Sequence, residues 1–193
     1  LKWAHIKEIS NELKLYKVKL VKKGDDRNLL AGAEFTISGN GITQKQTTDT
    51  NGEAVFTNIP YGTYTVSETK VPAGYVKAAD ITVTINDANT SGVYEADQFI
   101  NGQCEVTNCH TNLVVYKVDD KNGAEFLAGA KFKIMSGNEY VTASKQADGT
   151  YIYTSADEVG TEFVTGDSGS FEVDYLPTGS YKLIETGAPE GYI

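Results

Sequence analysis

Short runs of alternating apolar and polar residues dominate the chain, separated by phrases containing Gly, Asn and Pro. Alternation with a period of two places successive side chains on opposite faces of a strand. It predicts strands over residues 13–23, 34–38, 54–57, 64–69, 81–85 and 103–108, with a turn at 24–28. The same order restarts at Leu113 and runs through Tyr192. Residues 1–11 carry apolar positions at Trp3, Ile6 and Ile9, a run too short to separate a helical turn from the last strand of a preceding domain. Antiparallel strands joined by short turns at this density imply an all-β chain built as two tandem antiparallel β-sandwiches.

The restart is a true repeat. LLAGAEF at 29–35 returns as FLAGAKF at 126–132, and NGEAVFTNIPYGTY at 51–64 returns as SGSFEVDYLPTGSY at 168–181. The second copy is longer by about twenty residues, which must lie between Lys133 and Ser168. Two long copies read as tandem domains and not as a solenoid. The expected division is residues 1–12 as linker or end of a preceding region, 13–112 as the first domain and 113–193 as the second. The chain begins at Leu1 and stops just after the second repeat of its most distinctive phrase, which reads as a piece of something longer.

That phrase is YTVSETKVPAGY at 64–75 and YKLIETGAPEGY at 181–192. Each copy puts one Glu, Glu68 or Glu185, on the apolar face of a strand, with Tyr64 and Val66 or with Tyr181 and Leu183. A carboxylate there is costly unless it keeps a proton or finds a partner. The first strand of the first unit turns Tyr16, Val18, Leu20 and Lys22 to one face; Leu113, Val115 and Lys117 obey the same parity in the second. The last strand of the first unit aligns Cys104, Val106 and Asn108.

A Lys, a Glu and an Asn thus turn inward together. A lysine in apolar surroundings loses its proton, and a neutral amine is a nucleophile. A buried carboxyl can hold a proton near neutrality and shuttle it while ammonia leaves an amide. The product is a Lys–Asn isopeptide bond across the sandwich, made once and driven by apposition. The bland alternative is a strand-end lysine reaching water through its stem, as neighbouring Lys19 and Lys23 are expected to do.

These residues resemble the collagen-adhesin B-type (prealbumin-like, SpaA-type) domains of Gram-positive surface adhesins and pilins. YKLIETGAPEGY matches the family's YxLxETxAPxGY box at every fixed position; the first copy has Val66 for Leu and Val71 for Ala. The reactive lysine of the family precedes the L-x-G-A turn, a place held by Lys22 in VKKGDD and Lys117 in YKVDD. Its Asn lies in a V-T-N phrase, here Val106–Thr107–Asn108. The resemblance implies a cross-link between Lys22 and Asn108 with Glu68 as proton shuttle. It implies the equivalent roles for Lys117 and Glu185, with no acceptor Asn for Lys117 in the chain. It also implies an extracellular, cell-wall-anchored surface protein or pilus, acting as a stalk or shaft beside neighbouring domains, with no turnover enzyme activity and no cofactor. No YPK-type pilin-linking lysine is present.

A formal charge of −9 argues against nucleic acid or an anionic membrane face as partner. The alternative function is a binding module for host matrix protein or glycan, with the insertion as its surface: Tyr140, Tyr151, Tyr153, Asp157, Glu158 and Glu162. Cys104 and Cys109 are five residues apart, about 17 Å along a regular strand, whereas disulfide Cα atoms lie about 4.4–6.8 Å apart. They are expected to stay unbridged unless the segment is bulged or looped. A metal site from Cys104, Cys109 and His110 lacks a fourth ligand of the usual type. LPTGS at 176–180 and DTNG at 49–52 are expected to be turns.

Overall fold

The computed structural model describes residues 13–86, 99–100, 103–121, 123 and 125–192, so the open reading of residues 1–12 lies outside the described residues. Fifteen strands and no helix make up the described chain: β1 (Tyr16–Gly24), β2 (Glu34–Gly39), β3 (Ile42–Thr47), β4 (Glu53–Ile59), β5 (Gly62–Lys70), β6 (Ile81–Ile85), β7 (Phe99–Ile100), β8 (Gln103–Asn108), β9 (Asn112–Tyr116), β10 (Lys131–Ser136), β11 (Glu139–Lys145), β12 (Tyr151–Asp157), β13 (Phe163–Val164), β14 (Ser170–Asp174) and β15 (Tyr181–Gly187). The chain is all-β.

Two compact units emerge. One comprises 1–70 and 78–107, the other 71–77 and 108–193. In the first, a sheet of order β4-β1-β8-β7 and a sheet of order β3-β2-β5-β6 enclose one core. Val18, Leu20, Phe35, Ile37, Phe56, Tyr64, Val66, Val83 and Val106 fill it. The parity expected for the first strand holds, since Val18, Leu20 and Lys22 are all buried. At the corner before β5, the Tyr64 hydroxyl donates to the Pro60 carbonyl at 2.9 Å, which anchors the IPYGT turn. The LPTGS turn is built the same way, with the Tyr181 hydroxyl donating to the Pro177 carbonyl at 2.5 Å. DTNG is also a turn: Asp49 Oδ1 accepts the amides of Asn51 and Glu53.

The second unit repeats the plan with one enlargement. The pairs Leu113↔Val173 and Val115↔Phe171 of β9 and β14 restate Val18↔Phe56 and Leu20↔Ala54 of β1 and β4. Phe132↔Glu185 of β10 and β15 restates Phe35↔Glu68 of β2 and β5. The single strand β3 is replaced by the β11–β12 hairpin followed by the short β13, which returns to pair Phe163 with Phe132. The extra residues therefore fall between Ser136 and Phe163. Phe132, Ile134, Val141, Tyr151, Phe163, Phe171 and Val173 form the core.

The hairpin corrects the surface expected of the insertion. Tyr151 is 3% exposed and packs edge-on against Phe163, ring centroids 4.9 Å apart. It is a core aromatic, because β12 joins the sheet through its parallel pairing with β14. Tyr153 packs against the same core, Lys133 sits over the Tyr140 ring, and Glu162 pairs with Lys131 at 3.1 Å. Asp157 closes a turn by accepting the amides of Val159 and Gly160 and the Thr142 hydroxyl. Those bonds hold its carboxyl below the usual range.

Candidate functional site

Lys22, Glu68 and Asn108 are buried on strands of the first sandwich's two sheets. Lys22 is 0% exposed, Glu68 3% and Asn108 1%. Lys22 arrives on β1 because its parity is that of Val18 and Leu20, and its backbone is pinned at both ends. Its amide donates to the Gly52 carbonyl at 2.7 Å, and its carbonyl accepts from Leu30 at 3.0 Å. Asn108 closes β8, the neighbour of β1 in the sheet order. It lies two residues beyond buried Val106 and so shares its face. Glu68 comes from β5 in the facing sheet.

The Lys22 amine donates to the Val106 carbonyl at 3.1 Å and to the Lys23 carbonyl at 3.3 Å. Burial pushes its pKa down to about 8, partly opposed by the Glu68 carboxylate, which favours the charged amine. Glu68 Oε2 accepts the Ala78 backbone amide at 2.9 Å, an oriented contact that fixes the carboxyl head. The Asn108 side-chain oxygen is shielded from water and accepts no hydrogen bond. Buried oxygens of this kind are rare in folded proteins and call for a reason.

One part of the sequence reading changes here. A bond across the sandwich was expected, but Lys22 and Asn108 belong to neighbouring strands of one sheet, and only Glu68 comes from the other. Strand parity reports the face of a residue and not its sheet.

In the second unit Lys117 takes the same backbone partners, donating to the Gly169 carbonyl at 2.9 Å and accepting from Leu127 at 2.8 Å. Its amine meets Glu185 Oε2 at 2.9 Å. The pair is not buried as expected: the two side chains are 27% and 35% exposed, and Leu183 is 45% exposed. β9 is the last strand in its order, with β14 on one side and, among the described residues, no counterpart of β8 on the other.

Cys109 is an exposed free thiol, while the Cys104 side chain lies outside the described residues. Among the described residues no group of His, Cys, Asp and Glu could hold a metal ion. No helix there is long and apolar enough to cross a membrane.

Both halves of the chain match one family model, described as the SpaA prealbumin-like fold domain, over residues 16–98 and 111–193. The chain belongs to this family. Among solved structures it is similar to the TIE protein of Bacillus anthracis, at 26% identity, covering 93% of this chain and 29% of that one, with a TM-score of 0.47. It is similar to a streptococcal ancillary pilin at 27% identity, over 93% of this chain and 55% of that one, TM-score 0.41. The shaft pilin SpaA of Lactobacillus rhamnosus GG shares 22% identity over 93% of this chain and 90% of that one, TM-score 0.42. The chain thus spans about a third of the first structure and about half of the second. No curated protein matches it.

Proposed function

We propose that this chain is a shaft or stalk segment of a Gram-positive surface pilus or adhesin, outside the cell, whose first sandwich closes an isopeptide bond between Lys22 and Asn108. The observation that carries this reading is the burial of Lys22, Glu68 and Asn108 on the strands β1, β5 and β8 that carry core residues Leu20, Val66 and Val106. Such a placement has little use for stability alone, because burying charge and amide groups costs free energy that apolar side chains would not.

The chemistry uses only these residues. The neutral Lys22 amine attacks Cγ of Asn108 while Glu68 donates to the amide. The new C–N bond forms, the old one breaks, and the lysine proton leaves with Nδ2 as ammonia. Apposition in a dry core supplies the rate. The bond joins β1 to β8, so tension on that sheet loads a covalent link instead of a hydrogen-bond ladder.

Intact mass under reducing, denaturing conditions tests the proposal. A cross-linked chain is lighter by one ammonia, about 17 Da, and Lys22→Ala, Glu68→Ala and Asn108→Ala each restore the full mass. A full-mass wild-type chain would reject the bond.

A further inference from the structure

Two tyrosines meet face to face at the start of β1. The rings of Tyr16 and Tyr61 stack with centroids 5.1 Å apart and planes 16° from parallel. The Tyr16 hydroxyl donates to the Tyr61 hydroxyl at 2.8 Å. The oxygens lie closer than the ring centres, so the rings converge toward their hydroxyl ends, where the ortho carbons are. Both partners are held from behind. Tyr16 opens β1, pairs with Ile59 at the end of β4 and packs against the first core. Tyr61 sits in the corner between β4 and β5, which the bond from the Tyr64 hydroxyl to the Pro60 carbonyl anchors. Its own carbonyl accepts the Asn40 side-chain amide at 3.4 Å. The pair still faces water: Tyr61 is 36% exposed and Tyr16 is half-buried. The fold does not demand these two rings. By the register that equates Leu113 with Val18, the second unit has Thr111 in place of Tyr16, and its LPTGS corner has Thr178 in place of Tyr61. Both tyrosines are replaced together, in a corner that the Tyr181 hydroxyl anchors in the same way.

We infer that Tyr16 and Tyr61 form a site of oxidative cross-linking, at which a peroxide-consuming peroxidase couples the two rings into dityrosine. Each phenol gives up one electron and one proton and becomes a phenoxyl radical, whose unpaired spin is shared with the ortho carbons. One ortho carbon of each ring joins the other in a new C–C bond. The ring hydrogens they carried move to the oxygens, which restores both phenols. In sum, two hydrogen atoms leave the protein and one hydrogen peroxide becomes two waters. The stack supplies the apposition that makes this an intramolecular step. Tyr75 and Tyr175 give the contrast within the same chain. Their centroids are 5.6 Å apart, but their planes cross at 74° and Tyr75 is buried. Edge-on rings of this kind are a stable packing, yet they do not lay ortho carbon against ortho carbon. The bond would tie the first residue of β1 to the corner before β5, while Lys22 lies near the other end of the same strand. It uses no residue of the isopeptide site and does not rest on that chemistry.

The test treats the dilute full chain with a haem peroxidase and hydrogen peroxide. Dityrosine fluorescence and the intact mass of the monomer are then read after reduction and denaturation. Thiol reduction removes any disulfide, which would otherwise mimic the mass change. Expected is a fluorescent monomer lighter by two hydrogen atoms, with a tryptic fragment that joins residues 15–17 to residues 46–70. Tyr16→Phe and Tyr61→Phe keep a ring in each place and should each abolish both signals, whereas Tyr75→Phe should leave them unchanged. An unaltered monomer mass overturns the inference. So does a loss that persists in Tyr61→Phe, because Tyr64 lies in the same fragment and would then be the partner. Coupling seen only as covalent dimers, with no linked monomer, also overturns it. The ammonia deficit is read in the same spectra as a separate mass change, so the Lys22–Asn108 bond is judged on its own.

Discussion

Lys22 and Lys117 occupy the same backbone position in two copies of one fold, each clasped between a glycine carbonyl and a leucine amide, yet only Lys22 is fully withdrawn from water. With β8 beside it, the Lys22 amine is dry and faces a carbonyl of that strand. The Lys117 amine forms an ion pair with Glu185 at 2.9 Å, with the two side chains 27% and 35% exposed. An ion pair this open contributes little to stability.

The proposed bond sets a stability difference. Linking positions 22 and 108 closes most of the first unit into a loop, and the chain-entropy treatment used for disulfides gives about 4–5 kcal/mol for a loop of that length. Asn108→Ala should lose about that much in denaturant unfolding of the first unit, beyond the modest cost of its missing side chain. Val106→Ala, a core truncation that leaves the bond possible, should lose about 1–3 kcal/mol by cavity formation. Equal losses in the two variants would mean that no cross-link contributes.

Much of this site was legible in the residues. Glu68 and Lys22 share strand parity with Val66 and Leu20, and period two suffices to turn them inward. β6 and β8 fall where the alternation places them. Strand β3 was not predicted, because in ITQKQT only Ile42 packs on the core and the rest is polar edge. The fate of Tyr151 was hidden for a different reason: an insertion reads as surface until its hairpin is seen to join the sheet. The exposure of Glu185 could not be read either, since its parity is that of Glu68.

Protonation of Lys22 should be visible in the unlinked protein. Its folded pKa is about 8 against an ordinary 10.5, so below pH 8 the folded state carries a charged, desolvated amine that the unfolded chain does not penalise. Between those values the unfolded state binds more protons, and stability rises with pH. In Asn108→Ala, which cannot link, unfolding free energy should climb by about 3 kcal/mol from pH 8 to pH 10.5. The double variant Lys22→Met/Asn108→Ala should lack that climb. A flat profile in the single variant would show that the amine is not held in the low-dielectric core.

A pair of threonines underlies both lysine sites. Thr48 is buried; its hydroxyl donates to the Leu30 carbonyl at 2.7 Å and accepts the Ala33 amide at 3.0 Å. Thr165 does the same with Leu127 and Ala130 in the second unit. These bonds hold the L-x-G-A turn whose leucine amide clasps the lysine backbone. Valine keeps the shape but strands a buried donor and acceptor, at about 1–3 kcal/mol for each. Urea unfolding of Thr48→Val and Thr165→Val should show comparable losses, one in each unit.

Gly52 positions Lys22 most directly, because its carbonyl accepts the lysine amide at 2.7 Å. Its φ is +67°, and a Cβ added there would lie 2.6 Å from the Lys22 carbonyl oxygen and 3.3 Å from the Leu30 amide nitrogen. Gly52→Ala therefore costs about 1–2 kcal/mol in left-handed backbone and also displaces the segment carrying the amine. Gly41 provides the control: its φ is +76°, but a Cβ there meets nothing within 4 Å. Gly41→Ala should pay the backbone cost and keep the cross-link, whereas Gly52→Ala should leave a substantial fraction of folded chains at full mass. If both variants cross-link completely, the clasp on the lysine backbone is not what brings the amine to Asn108.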